Sequence, residues 1–313
     1  MPEWTILITD GLNEGGQVLL GAAARVEHKP GIAAEELLQA APHCDALIVR
    51  SRTRVTGELL AASPRLKVVG RAGVGVDNID LAAAAERGVI VVNTPQATAL
   101  AVAEHTLGLL LALARAIPRA DATMKAGQWI KKELEGVELS GKMLGIVGMG
   151  NIGAAVAQRA AALGMAVIGY DPLLSTQAVR QRGAEPVALD ELYVRADFIS
   201  LHLPLTAETA GLLGERAFER MKPGVRLVCT ARGGLIDEEA LLAALEAGRV
   251  AGAALDVFAQ EPPGATPLVR HPQVIATPHV AAQTAEAQRR AAVDIAGEVL
   301  AALRGEPLRW RVV

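Results

Sequence analysis

Three ionisable side chains in the last third of the chain have the types that the reduction of a keto group requires. Arg232, Glu261 and His279 each follow a predicted strand, at the edge where parallel sheets bind ligands. The planar guanidinium of Arg232 can grip a carboxylate with two hydrogen bonds and polarise the adjacent carbonyl. The carboxylate of Glu261 can orient an imidazole and favour its protonated form. Together these residues could bind a 2-keto acid and protonate the alkoxide that hydride transfer to its second carbon produces.

A glycine-rich segment, 148–153 (Gly-Met-Gly-Asn-Ile-Gly), joins a predicted strand, 144–147, to a predicted helix, 152–163. The first glycine permits a tight turn, the second lets the backbone approach a pyrophosphate, and the third lets the helix pack closely on the strand. The helix N-terminus adds backbone N–H groups and a positive dipole end. We therefore predict that a dinucleotide pyrophosphate lies against Gly148, Gly150, Asn151, Ile152 and Gly153.

An acidic residue, Asp171, stands eighteen positions after Gly153 (171 minus 153), at the end of the predicted strand 166–170. Its carboxylate can accept hydrogen bonds from the hydroxyls of an adenosine ribose, and it would repel a 2′-phosphate. A turn-forming role before Pro172 is compatible with this function. The sequence therefore predicts NAD, in preference to NADP, as the cofactor.

The composition limits the class of protein. The 313 residues, 51% of them hydrophobic, suffice for two cores, so we expect two domains. A formal net charge of −3 and a pI near 6.1, with no basic tail, argue against nucleic acid as a main partner. Cys44 and Cys229 are the only cysteines and have no CxxC spacing. Neither a disulfide framework nor a metal site is therefore expected.

The sequence gives no indication of export or of a membrane partner. Residues 1–10 read as a strand and lack the basic start and apolar core of a signal peptide. The most hydrophobic stretch, 107–114, is far shorter than the roughly 20 residues that span a bilayer. We expect a cytoplasmic protein.

The chain alternates short β-branched runs with Ala- and Leu-rich amphipathic segments, which predicts an α/β architecture of parallel strands with helices on both faces. The first predicted strands are 5–8, 46–49, 67–69 and 89–92. A hinge is expected before a long helix over 98–117, and a closing helix over 282–303 could return to the first domain. Six further strands, the number in a full dinucleotide-binding sheet, are predicted at 143–147, 166–170, 198–201, 226–229, 252–257 and 274–276.

Nearly the whole chain resembles the D-2-hydroxyacid dehydrogenase family. Residues 71–80 resemble its substrate-domain signature, and Asn93-Thr94-Pro95 resembles its hinge. Residues 148–153 with Asp171 match its NAD signature, and 201–206 resemble the loop under the cofactor. Arg232 within 231–234, Glu261 and His279 match its catalytic trio. The resemblance implies two Rossmann-like, doubly wound parallel-sheet domains with the active site in the cleft between them. These would be a discontinuous substrate-binding domain, 1–95 plus 283–313, and an NAD-binding domain, 96–282.

The resemblance also implies a role for each site residue. His279 would be the acid/base, Glu261 its partner and Arg232 the carboxylate anchor. Asp256 would contact the nicotinamide carboxamide, and the backbone N–H groups of Val74 and Gly75 would face the substrate carboxylate. Besides the glycine segment and Asp171, the expected NAD contacts are Val74, Leu203, Pro204, Thr230, Ala231, Asp256, Ala281 and Ala282.

Within the family, the closest resemblance is to the D-3-phosphoglycerate dehydrogenase subgroup, judged from 72–78, 117–120 and 129–132. It implies serine biosynthesis, with D-3-phosphoglycerate and 3-phosphohydroxypyruvate as substrates. A homodimer or a dimer of dimers is expected, with the helix 98–117 as the dimer surface. Because the chain ends at Val313, feedback by serine through a C-terminal regulatory domain is not expected.

A cluster of cations supports a phosphorylated substrate. Arg50 and Arg54 have the same parity on an extended segment and could face a phosphate together, leaving Arg52 to solvent. The alternative is a solvated basic loop. The expected substrate contacts are Arg50, Ser51, Arg54, Arg71, Val74, Gly75, Asn93, Arg232, His279 and, from a neighbouring subunit, Lys131.

Other functions stay open at this stage. Ala281 replaces the glycine that the family usually has two residues after the histidine, which puts substrate preference in doubt. Hydroxypyruvate, glyoxylate and D-lactate-type acids would be processed by the same trio. Formate dehydrogenases have glutamine where Glu261 stands, so that alternative is weak. NAD-sensing transcriptional corepressors resemble the family and keep the trio, but they generally add flexible tails that are not seen here.

Overall fold

A computed structural model describes residues 4–313 and divides the chain into two compact units. Residues up to 99 together with 282–313 form the first unit, and residues 100–281 form the second. The first break follows Ala99, four residues beyond the predicted one after Pro95 (99 minus 95). The predictions made for residues 1–3, the start of a strand and the absence of a signal peptide, lie outside the described residues.

The elements of the described residues alternate between strands and helices. The strands are β1 (Thr5–Ile8), β2 (Arg25–His28), β3 (Ala46–Val49), β4 (Val68–Arg71), β5 (Ile90–Val92), β6 (Met143–Val147), β7 (Ala166–Tyr170), β8 (Glu185–Pro186), β9 (Phe198–Leu201), β10 (Val225–Cys229), β11 (Val250–Leu255) and β12 (Val274–Ala276). The helices are α1 (Glu14–Gly21), α2 (Ala34–Ala40), α3 (Gly57–Ala61), α4 (Leu81–Glu86), α5 (Ala99–Ala114), α6 (Ile117–Lys125), α7 (Asn151–Ala162), α8 (Thr176–Gln181), α9 (Leu189–Arg195), α10 (Glu215–Arg220), α11 (Glu238–Glu246), α12 (Pro267–Arg270) and α13 (Ala285–Arg304). Short 3-10 helices cover Ala41–His43 and Lys131–Glu133.

The first unit is built on a five-stranded parallel sheet in the order β2-β1-β3-β4-β5. Every residue of β3 is buried, as expected for a strand covered on both faces. The helix α13 packs against β4 at Gly70, where a Cβ atom would lie 2.5 Å from a methyl of Val299. Only glycine permits this approach, so Gly70 is what allows α13 to pack closely on the sheet.

The second unit is a seven-stranded parallel sheet in the order β12-β11-β10-β9-β6-β7-β8. The strand order reverses at β6, which lies between β9 and β7, and such a switch point is where doubly wound sheets bind ligands. At the other side of the sheet, β10, β11 and β12 are neighbours. Their carboxyl ends therefore bring three connecting loops to one edge.

Three sequence expectations about elements are corrected. The helix predicted over 98–117 ends at Ala114, where Ala116 adopts a positive φ of 50°, and α6 then begins at Ile117. Pro118 does not stop a helix here, because it lies in the first turn of α6, where its missing N–H costs nothing. Two strands, β2 and the two-residue β8, are additions at sheet edges.

No single helix within residues 4–313 is long and apolar enough to cross a membrane. The pair α5 and α6 passes that test only when taken together, and the two helices are bent by 65° at their junction.

Candidate active site

The imidazole of His279 and the carboxylate of Glu261 are hydrogen-bonded to each other. Nδ1 of His279 lies 2.8 Å from Oε2 of Glu261, and the two side chains are 45% and 38% exposed. Because an ionised carboxylate can only accept a hydrogen bond, Nδ1 carries a proton in this contact. Nε2 has no hydrogen-bond partner among residues 4–313 and is therefore the nitrogen that can exchange a proton with a ligand.

His279 lies in a left-handed turn, with φ at 52°, a conformation that residues with a side chain rarely adopt. Asp256 holds the backbone of this turn. Its carbonyl accepts the N–H of His279 at 2.9 Å. Its carboxylate accepts the N–H groups of Val280 at 2.9 Å and Ala281 at 2.8 Å. The direction of the imidazole is thus set by a residue more than twenty positions earlier.

The carboxylate of Asp256 is fully buried and also accepts the hydroxyl of Thr277 at 2.6 Å. Burial alone would raise the pKa of Asp256, but the nearby imidazole of His105 and hydrogen bonds from Thr277 and the backbone outweigh it and hold that pKa below its usual value. Both carboxylate oxygens are occupied by the chain's own donors. Contact of Asp256 with the nicotinamide carboxamide stays a prediction.

His105, on α5, is a site neighbour that the sequence reasoning missed. Its Nε2 lies 3.3 Å from the hydroxyl of Thr277 and 3.6 Å from the carboxylate of Asp256. Nothing in the sequence around His105 marks this contact, because it joins residues more than 150 positions apart.

Arg232 lies three residues beyond β10 and is half-buried. One of its terminal nitrogens, Nη1, donates to the carbonyl of Ala231 at 2.7 Å. Since β10, β11 and β12 are adjacent, Arg232, Glu261 and His279 lie on loops after three neighbouring strands of one sheet. This edge therefore presents a cation, a carboxylate and an imidazole together.

The glycine turn has the local geometry that a dinucleotide pyrophosphate needs. Gly148 adopts a φ of 96°, and a Cβ atom there would lie 2.7 Å from the carbonyl carbon of His202. A Cβ at Gly153 would overlap the carbonyl of Gly148, so this glycine permits close packing of α7 on the turn. A Cβ at Gly150 would meet nothing within 4 Å, so the backbone there faces open space.

The surroundings of this turn also suit a dinucleotide. Asn151 and Ile152 are the first residues of α7, whose cap residue Gly150 offers no side chain to the helix N–H groups. The carboxylate of Asp171 accepts the N–H groups of Met149 at 2.8 Å and Leu173 at 2.9 Å. Each oxygen keeps capacity for a further hydrogen bond. The residues present therefore fit NAD, with a fixed acidic side chain at the expected ribose position.

Two further loops carry predicted cofactor contacts. After β9, Leu203 is buried and Pro204 is exposed. Before them, Nε2 of His202 lies 2.8 Å from the hydroxyl of Ser200, while the buried Nδ1 has no hydrogen-bond partner in the described chain. Burial lowers the pKa of His202 to about 3, so this ring is neutral near pH 7. After β10, the predicted contacts Thr230 and Ala231 are both buried.

In the first unit, Asp10 organises the loop after β3. Its Oδ2 accepts the N–H groups of Arg50 at 2.7 Å and Thr53 at 3.0 Å, and its Oδ1 accepts the hydroxyl of Thr53 at 2.5 Å. Arg52 lies 3.2 Å from Oδ1 and donates to two backbone carbonyls. Arg52 is exposed, as expected, but its guanidinium is also held by Asp10 and is not free in solvent.

The remaining cations of that loop differ in burial. Arg50 is half-buried, and burial lowers its pKa although Asp10 opposes the shift. Its Nη2 lies 3.4 Å from the side-chain oxygen of Gln283. Ser51 and Arg54 are exposed, and Arg54 makes no hydrogen bond or ion pair with the described residues 4–313.

The other predicted substrate contacts of this unit lie at the end of β4, in the loop after it and just after β5. The side-chain amide of Asn93 donates to the carbonyl of Val74 at 2.7 Å and so fixes the backbone of 73–75. Arg71, Val74 and Gly75 are half-exposed. Asn93 thus supports this loop, and its predicted contact with the substrate stays a prediction.

Three predicted contacts remain, Lys131, Ala281 and Ala282. Lys131 is exposed in a short 3-10 helix of the second unit. Ala281 is buried and Ala282 is half-buried. The methyl group of Ala281 is accommodated without loss of its N–H bond to Asp256, so the usual glycine is not needed for the turn itself.

These features define a doubly wound α/β protein with a glycine turn suited to a dinucleotide and with an arginine and a hydrogen-bonded carboxylate–imidazole pair on neighbouring strand-end loops. Residues 107–281 match the family model described as D-isomer specific 2-hydroxyacid dehydrogenase, NAD binding domain. The chain belongs to the D-isomer specific 2-hydroxyacid dehydrogenase family.

Similar sequences and structures support this membership. The chain is 50% identical over 301 residues to D-3-phosphoglycerate dehydrogenase of Mycobacterium tuberculosis, covering 96% of this chain and 57% of the relative. It is similar in structure to the TT0316 protein of Thermus thermophilus, with a TM-score of 0.89 and 38% identity over 99% of this chain and 100% of that one. A glyoxylate reductase of Paecilomyes thermophila gives a TM-score of 0.91 and 32% identity over 100% and 99%. The chain spans a little over half the length of the curated relatives it matches.

Proposed function

We propose that this protein is an NAD-dependent dehydrogenase that transfers a hydride between nicotinamide and the second carbon of a D-2-hydroxy acid. The observation that carries the proposal is the 2.8 Å contact between His279 and Glu261, with Arg232 on a neighbouring strand-end loop. A corepressor-like binding protein could keep the same residues, so measured turnover of a 2-keto acid with NADH separates it from an enzyme.

The reaction in the direction of reduction assigns one task to each side chain. Arg232 binds the substrate carboxylate through its planar fork and polarises the adjacent carbonyl. NADH, when bound, supplies the hydride. His279 donates the proton on Nε2 to the alkoxide oxygen, and Glu261 stabilises the imidazolium through Nδ1. Asp171 and the turn 148–153 hold the dinucleotide, and the negative charge of Asp171 favours NAD over NADP.

The substrate that we propose is 3-phosphohydroxypyruvate, reduced to D-3-phosphoglycerate in the reverse of the first step of serine biosynthesis. Support comes from the relatives named D-3-phosphoglycerate dehydrogenase and from cations of the first unit, Arg50 and Arg54 after β3 and Arg71 at the end of β4. Arg54 is the strongest candidate for the phosphate, because its guanidinium is exposed and makes no bond with the described residues.

A second candidate is a hydroxypyruvate or glyoxylate reductase. The similar glyoxylate reductase structure, which covers the whole chain, favours it. The catalytic trio serves both substrates equally, so the phosphate contacts decide between them.

A panel of 2-keto acids separates these candidates. Reduction of phosphohydroxypyruvate, hydroxypyruvate, glyoxylate and pyruvate is followed by NADH absorbance. We expect kcat/KM to be highest for phosphohydroxypyruvate. Equal values for hydroxypyruvate and its 3-phosphate would refute the phosphate proposal and favour the reductase, while no turnover of any acid would refute the dehydrogenase.

A variant tests the phosphate contact itself. Arg54→Ala should raise KM for the phosphorylated acid alone. Arg87 is also an exposed arginine, so Arg87→Ala is the matched control.

We also propose a cytoplasmic homodimer or dimer of dimers. Buried free thiols at Cys44 and Cys229 fit a reducing compartment. Exposed apolar side chains on and after α5 and α6, namely Leu111, Ile117, Met124 and Trp129, offer a surface for a second copy. Lys131 lies two residues beyond Trp129 and would reach the partner's substrate in that assembly.

A further inference from the structure

Glu261 lies on a loop that has few anchors of its own. Between β11 and α12, Ala259, Gln260 and Glu261 are exposed, and Phe258 is the buried residue next to them. One oxygen of Glu261 accepts the N–H of Phe258 at 3.1 Å, within the same loop. This internal bond shapes the loop, but it does not fix the loop to the rest of the sheet.

A second carboxylate supplies that attachment. Oε1 of Glu238 accepts the N–H of Ala259 at 2.7 Å. Glu238 is half-buried at the first position of α11, directly after the loop that carries Arg232. It therefore reaches from the helix that follows Arg232 to the loop that carries Glu261.

The backbone makes the same connection independently. A Cβ atom at Gly233 would overlap the carbonyl group of Phe258 and lie 2.6 Å from the nitrogen of Ala259. The residue after Arg232 is thus packed directly on the peptide group whose N–H Glu238 accepts. Two separate contacts join the Arg232 loop to the Glu261 loop at one point.

We infer that Glu238 is a positioning residue for the catalytic trio. By fixing Ala259 beside Gly233, it holds the loop that carries Glu261 against the loop that carries Arg232. This inference rests on the proposed dehydrogenase function. Loss of the bond frees the Glu261 loop and lets the carboxylate move away from Nδ1 of His279. Displacement of about 1 Å in a catalytic group can cost on the order of 10²-fold in rate.

The chain offers a matched control for the charge of Glu238. Glu239, the next residue, is a less buried acid in the same first turn of α11. Either carboxylate stabilises the helix N-terminus through the dipole. If Glu238 served only that purpose, Glu238→Ala and Glu239→Ala would have the same effect.

The test compares Glu238→Ala, Glu238→Gln and Glu239→Ala in the full chain. We expect Glu238→Ala to lower kcat roughly tenfold or more, with NADH affinity unchanged within about twofold, and to shift the pH profile of reduction towards acid as the imidazolium loses its partner. Glu238→Gln should restore most of kcat, because its amide oxygen can still accept the N–H of Ala259. Glu239→Ala should behave as the wild type.

Hydrogen–deuterium exchange of the peptide 256–263 gives a readout that needs no turnover. Exchange should be faster in Glu238→Ala and near wild type in the other two variants. The inference would be overturned if Glu238→Ala kept the wild-type pH profile and exchange rate. It would also be overturned if the two alanine variants lost kcat equally. Failure of Glu238→Gln to restore kcat would do the same. If the wild type reduces no 2-keto acid, the proposed function fails, and the exchange measurement still decides whether Glu238 anchors the loop.

Discussion

The contact between Glu261 and His279 holds Nδ1 and leaves Nε2 as the nitrogen that can donate a proton. Replacement of Glu261 by Gln keeps the size of the side chain but removes the charge that stabilises the imidazolium. We expect kcat/KM for reduction to fall and its pH profile to move towards acid, because the imidazolium loses its charged partner. Steady-state assays with NADH measure the profile. An unchanged profile would mean that Glu261 has only a structural role.

In the proposed function, the charge of Asp171 sets the choice of cofactor. Asp171→Asn keeps an acceptor for the N–H of Met149 but removes the repulsion of a 2′-phosphate. We expect the ratio of kcat/KM for NADH to that for NADPH to fall about tenfold, which corresponds to roughly 1.4 kcal/mol. Asp190→Asn, on α9, is the control. Comparable use of both cofactors by the wild type would contradict the argument from charge.

At the scale of the elements, the strands of both sheet centres could be predicted because local pattern determines them. The continuous apolar run of β3 and the mostly apolar β9, Phe-Ile-Ser-Leu, are short and fully buried. The edge strand β2, Arg-Val-Glu-His, has no such run, since an edge strand is only partly buried. The break before α6 could not be predicted from Pro118, because proline suits the first turn of a helix as well as the residues just beyond a helix end.

The loop after β9 gives a prediction about stability. The pKa of His202 is lowered to about 3 by burial, below an unfolded value near 6.5, so the unfolded chain binds the extra proton between these pH values. This contribution to stability is present above pH 6.5 and is lost as pH falls towards 3. From pH 7 to pH 5, the free energy of unfolding should fall by roughly 1 to 2 kcal/mol more in the wild type than in His202→Gln. Urea unfolding at both pH values measures this difference, and equal losses would contradict it.

At the scale of the whole molecule, the site could be predicted only where a residue and its partner share a local motif. The glycine turn, Asp171 and the trio follow strands that the sequence reveals. The residues that support the site could not be predicted in this way. Asp10 reaches the loop at Arg50, and Asp256 meets His105, only after folding. Such pairs are separated by 40 to 151 positions (50 minus 10; 256 minus 105), and no local pattern records them.

The proposed assembly gives a prediction for the intact chain. Trp129 is 78% exposed and Met124 is 56% exposed, which is unusual for large apolar side chains unless another surface covers them. Trp129→Lys combined with Met124→Lys should convert a dimer into a monomer, measured by sedimentation equilibrium. Leu173→Lys, at an exposed position after β7, should leave the assembly unchanged. A wild type that is monomeric at micromolar concentration would contradict the proposal.

The most direct measurement of the central claim is the reduction of a 2-keto acid by His279→Ala. This substitution removes the proton donor but no residue of the turn 148–153 and not Asp171. We predict that kcat falls by about 10²–10⁴-fold, the usual contribution of a general acid, while the Kd for NADH, measured by fluorescence quenching, stays within about twofold. Turnover within a few-fold of the wild type would contradict the account and remove His279 from the mechanism.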